Sequence, residues 1–106
     1  MAKKLTLHSL TCVKLQDSIS EDEIEVWIGG VKVAGPYGVH KGGTVDLEIS
    51  RTFSGTTSVQ LKEIDANSAP DNLGIRTVSD KAVSSSNLNF DAAKHAFYTM
   101  HYSIAA

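Results

Sequence analysis

Hydrophobic and polar residues alternate with a period of two along most of the chain, in short runs that turn residues interrupt every eight to twelve positions. This alternation is typical of half-buried β-strands. The clearest run is EIEVWI, and Gly29-Gly30 directly after it predicts a hairpin turn. In the first run, LTLHSLTCV, the apolar phase shifts between Leu7 and Leu10, which predicts a β-bulge.

Further strands are predicted at VKVA, TVDLEIS, TSVQLKE, GIRTVS, AVSSSNLNF and AFYTMHYSIA. The stretch GPYGVHKGG, which is rich in glycine, is predicted to be a long connection between strands. About eight short strands in 106 residues, without a convincing helix, predict an all-β fold. We therefore expect one domain over residues 1–106, an eight-stranded antiparallel β-sandwich of two packed sheets.

Composition restricts the possible functions without selecting one. The formal net charge of −2 gives no general attraction to nucleic acid. Cys12 is the single cysteine, so no intrachain disulfide is possible, and we expect a buried, inert thiol. The start, MAKKLTLHSL, lacks the apolar segment of a signal peptide, so a cytoplasmic location is the default expectation. The oligomeric state stays open.

Carboxylates concentrate in two segments that fall at predicted strand ends. LQDSISEDEIEVWI contains Asp17 and Asp22, and EIDANSAPDNLG contains Glu63, Asp65 and Asp71. A hard cation such as Ca²⁺ takes six to eight oxygen ligands, which two loops meeting at one end of a sandwich can supply. Two like charges about 5 Å apart repel by about 3 kcal/mol at an effective dielectric constant of about 20, so such clustering is costly without a cation. The alternative is a charged end that is merely solvated.

These two segments resemble a C2 domain, the eight-stranded sandwich that binds Ca²⁺ in loops at one end. In DSISEDEIEVWI, Asp17 and Asp22 match the two aspartates of the first C2 loop. In VQLKEIDANSAPDNLG, Glu63 and Asp65 match the family's pair of acids, with glutamate in place of the first aspartate. Asp71 follows six residues after Asp65, and a Leu-Gly pair closes the motif. The similarity is greatest to the compact, stand-alone bacterial type.

The resemblance implies a non-enzymatic, Ca²⁺-regulated interaction module, with an anionic phospholipid surface or a protein as candidate partner. The implied metal ligands are Asp17, Asp22, Glu63, Asp65 and Asp71. The alternative is a metal-independent sandwich that binds a protein or a carbohydrate, in which case Trp27 or Tyr37 would contact a glycan. Trp27 shares a face with Glu23 and Glu25, so we expect it at the outer surface or at a sheet edge, partly covered by a neighbouring strand or loop. The four histidines show no spacing typical of a zinc site.

Overall fold

The chain folds into two antiparallel four-stranded sheets, which confirms the predicted all-β sandwich. The computed structural model describes residues 2–15, 21–64, 69–92 and 96–106. In chain order the described strands are β1 (Lys3–Lys14), β2 (Glu21–Ile28), β3 (Val31–His40), β4 (Thr44–Phe53), β5 (Thr56–Glu63), β6 (Asp71–Ser79), β7 (Val83–Phe90) and β8 (Phe97–Ala105). One sheet has the order β4-β1-β8-β7 and the other the order β3-β2-β5-β6. Within the described ranges, no helix is long and apolar enough to cross a membrane.

The apolar positions that alternate in the sequence form the core between the sheets. Leu5, Leu7 and Leu10 of β1 are fully buried, as are Tyr98 and Met100 of β8. A fully buried large apolar side chain contributes about 1.5–3 kcal/mol relative to an exposed one. The phase change in β1 is a bulge, because the register of β1 against both neighbouring strands shifts between Leu7 and Ser9. The bulge and the buried thiol of Cys12 were both predicted correctly.

The prediction of a long connection over GPYGVHKGG was wrong, since β3 continues to His40 and only residues 41–43 connect it to β4. Gly35 explains the strand's path, because its φ of 93° favours glycine and a Cβ there would lie 2.3 Å from the carbonyl oxygen of Ile24. The register of β2 against β3 shifts twice around this glycine. Pro36 is tolerated because β3 is an edge strand, where a missing N–H need not break a ladder.

Because successive strands run in opposite directions, the connections alternate between the two ends of the sandwich. The end of β1, the start of β2, the end of β5, the start of β6 and residues 41–43 fall at one end, which we call the loop end. The hairpin turn Gly29-Gly30 falls at the other end, together with the start of β1 and the end of β8, where Lys4 pairs with Ala105. Both acidic segments therefore reach the loop end.

Candidate functional site

Three of the five predicted metal ligands are described, and all three lie at the loop end of the sheet β3-β2-β5-β6. Asp22 is the second residue of β2, Glu63 the last of β5 and Asp71 the first of β6. The sequence predicted Glu63 at a strand end, as observed, and Asp22 and Asp71 in the adjoining loops, whereas the structure places all three on strands. Asp17 and Asp65 lie outside the described residues, so their assignment stays a prediction.

Strand register brings the three carboxylates to one face. Glu63 pairs directly with Asp71 across β5 and β6, so their Cβ atoms are about 4.5–5.5 Å apart. Glu63 also pairs with Ile24 on β2, and Asp22 lies two residues beyond Ile24, about 6.6 Å further toward the loop end. Asp22 is 0% exposed and Glu63 is 4% exposed, whereas Asp71 is exposed. The three acidic residues thus range from fully buried to solvent-exposed.

These described carboxylates do not form a complete metal site among themselves. Over the described residues, no three histidine, cysteine, aspartate or glutamate side chains lie close enough together to hold a metal ion. Asp22, Glu63 and Asp71 each take part in further polar interactions within the protein. Any cation here therefore needs donors from the two acidic loops as well.

A buried polar contact between the sheets lies directly below the loops. The Tyr98 hydroxyl on β8 donates a hydrogen bond of 2.5 Å to Oδ2 of Asp22 on β2, and both residues are 0% exposed. Cys12 on β1 is the register partner of Tyr98 and is also fully buried. Burial raises the pKa of Cys12, and burial together with the bond to Asp22 raises the pKa of Tyr98 far above its ordinary range. Tyr98 therefore stays protonated and acts as a donor.

Backbone hydrogen bonds attach other loop-end segments to the same region. The Gly42 amide donates to the Cys12 carbonyl at 2.8 Å, and the Cys12 amide donates to the Gly43 carbonyl at 3.0 Å. On the other sheet, the amide of Ile64, which follows Glu63, donates to the Glu23 carbonyl at 2.8 Å. The β3–β4 connection and the start of the second acidic segment are thereby fixed to strands β1 and β2.

Trp27 lies on the outer face of its sheet, as the sequence suggested, and a neighbouring strand covers it. The Lys62 ammonium of β5 lies 3.8 Å from the centre of a Trp27 ring, which is a cation–π contact. The indole N–H donates to Glu25 at 3.2 Å, and Glu25 also pairs with Lys32 at 3.3 Å. Tyr37 packs against the core. Both aromatic residues that a glycan would need are therefore engaged within the fold.

A row of polar side chains on the outer face of the other sheet had no counterpart in the sequence patterns. The His8 and His101 ring centres lie 5.2 Å apart, although the two residues belong to the first and last strands. His8 Nε2 is 2.8 Å from the Ser103 hydroxyl, and its Nδ1 is 3.3 Å from the 68% exposed Glu48 carboxylate. A hydroxyl, an imidazole and a carboxylate in this order are also found in catalytic triads, where they act as nucleophile, base and orienting group. We assign no chemistry to them, because an open sheet face neither positions a substrate nor excludes water.

Comparison with known proteins rests on structure alone. No family model matches the sequence, and no curated protein is similar to it in sequence. The architecture is that of a two-sheet module whose loops at one end carry the candidate site. Among solved structures, it is similar to the C2A domain of a plant extended synaptotagmin 1, with a TM-score of 0.61 and 8% identity over 97% of this chain and 91% of that one.

A second solved structure, described only as a C2 domain, aligns with a TM-score of 0.65 and 13% identity over 98% of this chain and 99% of the other. A third is human GIVD cytosolic phospholipase A2, with a TM-score of 0.61 and 8% identity over 98% of this chain, which spans 16% of the enzyme. At such low identities the likeness shows the fold alone. This chain therefore has a C2-like fold, as we expected from the sequence.

Proposed function

We propose that this C2-like domain is a Ca²⁺-dependent interaction module. Its cation is held between the β1–β2 and β5–β6 segments by Asp17, Asp22, Glu63, Asp65 and Asp71. The observation that carries the proposal is strand register, since Glu63 pairs with Asp71 on one side and with Ile24 on the other, and Asp22 lies two residues from Ile24 on the same face. Three acidic residues on three adjacent strands thus lie at the same end of the sheet, where donors from the two acidic segments would complete the site.

The proposed donor atoms are of the type that Ca²⁺ prefers. Every proposed side-chain donor is a carboxylate oxygen, which suits a hard cation with six to eight ligands and flexible geometry. Mg²⁺ demands a stricter octahedron and gives up its water reluctantly, so it suits this set less well. Glu63 reaches one methylene further than an aspartate, which compensates for its position on a strand rather than in the loop. A bound cation would supply the positive charge that offsets repulsion among the carboxylates.

The proposed partner is an anionic phospholipid surface, bridged through the cation. The support for this is that one structural neighbour is a cytosolic phospholipase A2, an enzyme named for its action on phospholipids. A protein partner bound in the same manner is the second outcome that the experiments below distinguish.

The first test compares thermal unfolding with Ca²⁺ and with Mg²⁺. A ligand at 100 times its dissociation constant stabilises a fold by about 2.7 kcal/mol, and the weakest Ca²⁺ modules bind at about 0.1–1 mM. We expect about 5–10 mM Ca²⁺ to raise the melting temperature in calorimetry, and the same concentration of Mg²⁺ to raise it less. An unchanged melting temperature with Ca²⁺ would rule out the site and leave the metal-independent module.

Asp65→Asn is the matched variant, and Glu48→Gln is its control. Asp65 lies between Glu63 and Asp71 in the sequence of the second acidic segment. We therefore expect the substitution to weaken Ca²⁺ stabilisation while the metal-free protein keeps or gains stability, because one repulsion is gone. Glu48 is exposed on the other sheet, so its neutralisation should leave the Ca²⁺ response unchanged. If Asp65→Asn unfolds without metal, Asp65 has a structural role instead.

A further inference from the structure

We propose that Tyr98 is a positioning residue for the Ca²⁺ site: its hydroxyl fixes the orientation of the Asp22 carboxylate, and so couples cation binding to the packing of the opposite sheet. The proposal rests on the function proposed above, because it takes Asp22 as a ligand. Asp22 belongs to β2, in the sheet that carries the acidic residues, whereas Tyr98 belongs to β8 in the other sheet. A ligand on one sheet is therefore oriented by a donor on the other.

The contact has the properties of a strong and specific hydrogen bond. The two oxygens are 2.5 Å apart, and both residues are 0% exposed. A hydroxyl that donates to a carboxylate forms a charge-assisted bond, which is shorter and stronger than a bond between neutral groups. Water does not compete with it at full burial, so the bond restrains rotation of the carboxylate as long as the sheets stay packed.

The donor is itself held in place by its neighbours. Tyr98 pairs with Cys12 on one side and with Phe90 on the other, and both of those residues are fully buried. Cys12 in turn exchanges backbone hydrogen bonds with Gly42 and Gly43 in the β3–β4 connection. The orientation of Asp22 is thus set by the core and does not have to be established when an ion arrives.

A carboxylate that is already oriented loses less freedom on binding, which increases affinity. Removing such an outer partner of a metal ligand typically weakens metal binding about 10–100-fold. Tyr98→Phe deletes one oxygen and keeps the ring. We expect it to raise the Ca²⁺ dissociation constant, measured by isothermal titration calorimetry, by at least about tenfold.

Two control variants on the same strand separate positioning from stability. Tyr102→Phe makes the same chemical change four residues along β8, about 13 Å further from the loop end, at a side chain that also packs against the core. Ile104→Val removes one methylene from a buried side chain at the opposite end of the sandwich, so it lowers stability without touching the acidic end. We expect both controls to keep the wild-type dissociation constant.

The outcomes distinguish this inference from the function on which it rests. A wild-type chain that binds no Ca²⁺ overturns the proposed function and this inference with it. Wild-type binding together with an unchanged constant in Tyr98→Phe overturns this inference alone. A weakening that Ile104→Val reproduces shows that general stability is responsible, and it also overturns the positioning role.

A measurement on the unmodified chain decides the question if Tyr98→Phe does not fold. A hydroxyl proton that is fully buried and hydrogen-bonded exchanges slowly with water, so NMR can detect it. We expect the Tyr98 hydroxyl resonance to shift along the same saturation curve as Ca²⁺ binding measured by calorimetry. A resonance that stays unchanged at saturating Ca²⁺ contradicts a link between Tyr98 and the ion.

Discussion

Glu48 has a backbone conformation that ordinary residues avoid. It is the single non-glycine residue with positive φ (49°) among the described residues. It lies in a bulge, because β4 has two residues between Asp46 and Ile49 where β1 has only one between their partners. The left-handed conformation costs about 1–2 kcal/mol for a residue with a Cβ. Its contact with His8 at 3.3 Å is a surface pair, worth about 0–1 kcal/mol. The cost of the backbone conformation at Glu48 therefore equals or exceeds the stability that its contact with His8 contributes.

Replacing Glu48 by glycine tests this balance. We expect Glu48→Gly to leave the free energy of unfolding unchanged or to raise it by up to about 1 kcal/mol, because glycine adopts positive φ freely. Asp46→Gly is the control, since Asp46 is exposed on the same strand without positive φ, and glycine there should cost about 0.5–1 kcal/mol. Urea denaturation measures both. Equal losses in the two variants would mean that the His8 contact outweighs the strain.

Strand β3 depends on close backbone contact at Gly35. Gly35→Ala combines the conformational cost with a collision against the Ile24 carbonyl oxygen, so we expect it to lower the free energy of unfolding by about 2–5 kcal/mol. Gly30→Ala is the matched control, because Gly30 has a similar φ of 82° and an added Cβ would meet no atom within 4 Å. It should lose only about 1–2 kcal/mol. Similar losses in the two variants would show that β3 shifts to relieve the collision.

Local patterns predicted the strands, because alternation of apolar residues reports which face is buried. The pattern failed for β3, where an edge position admits the glycines and proline that usually mark a loop. Pairings that join distant parts of the chain left no local signal. The bond between Tyr98 and Asp22 joins residues 76 positions apart. The contact between His8 and His101 depends on the register shift at the β1 bulge, which residue composition does not reveal. The acidic motif indicated Asp22 and Glu63 as a site, but not their burial.

Across the whole molecule, several of the described basic residues are engaged by neighbouring side chains. Lys32 pairs with Glu25, Arg76 pairs with Asp91, and Lys62 covers Trp27. The net charge is −2. Without a cation, the surface offers little attraction to an anionic membrane. Any association at the loop end should therefore depend on Ca²⁺ that bridges the carboxylates to the headgroups.

Liposome co-sedimentation tests this dependence. In the stretches SISE and DANSAP of the two acidic segments, Ile19 is the one large apolar residue, so we expect little insertion into the bilayer. Binding should be weak and should require both Ca²⁺ and phosphatidylserine. It should be lost at moderate salt, because the screening length shortens from about 10 Å at about 0.1 M toward about 3 Å at about 1 M. Asp65→Asn should abolish it, whereas Glu48→Gln should not. Salt-resistant binding to neutral lipid would show that apolar contact dominates, and no binding to anionic lipid with Ca²⁺ present would identify a protein as the better candidate partner.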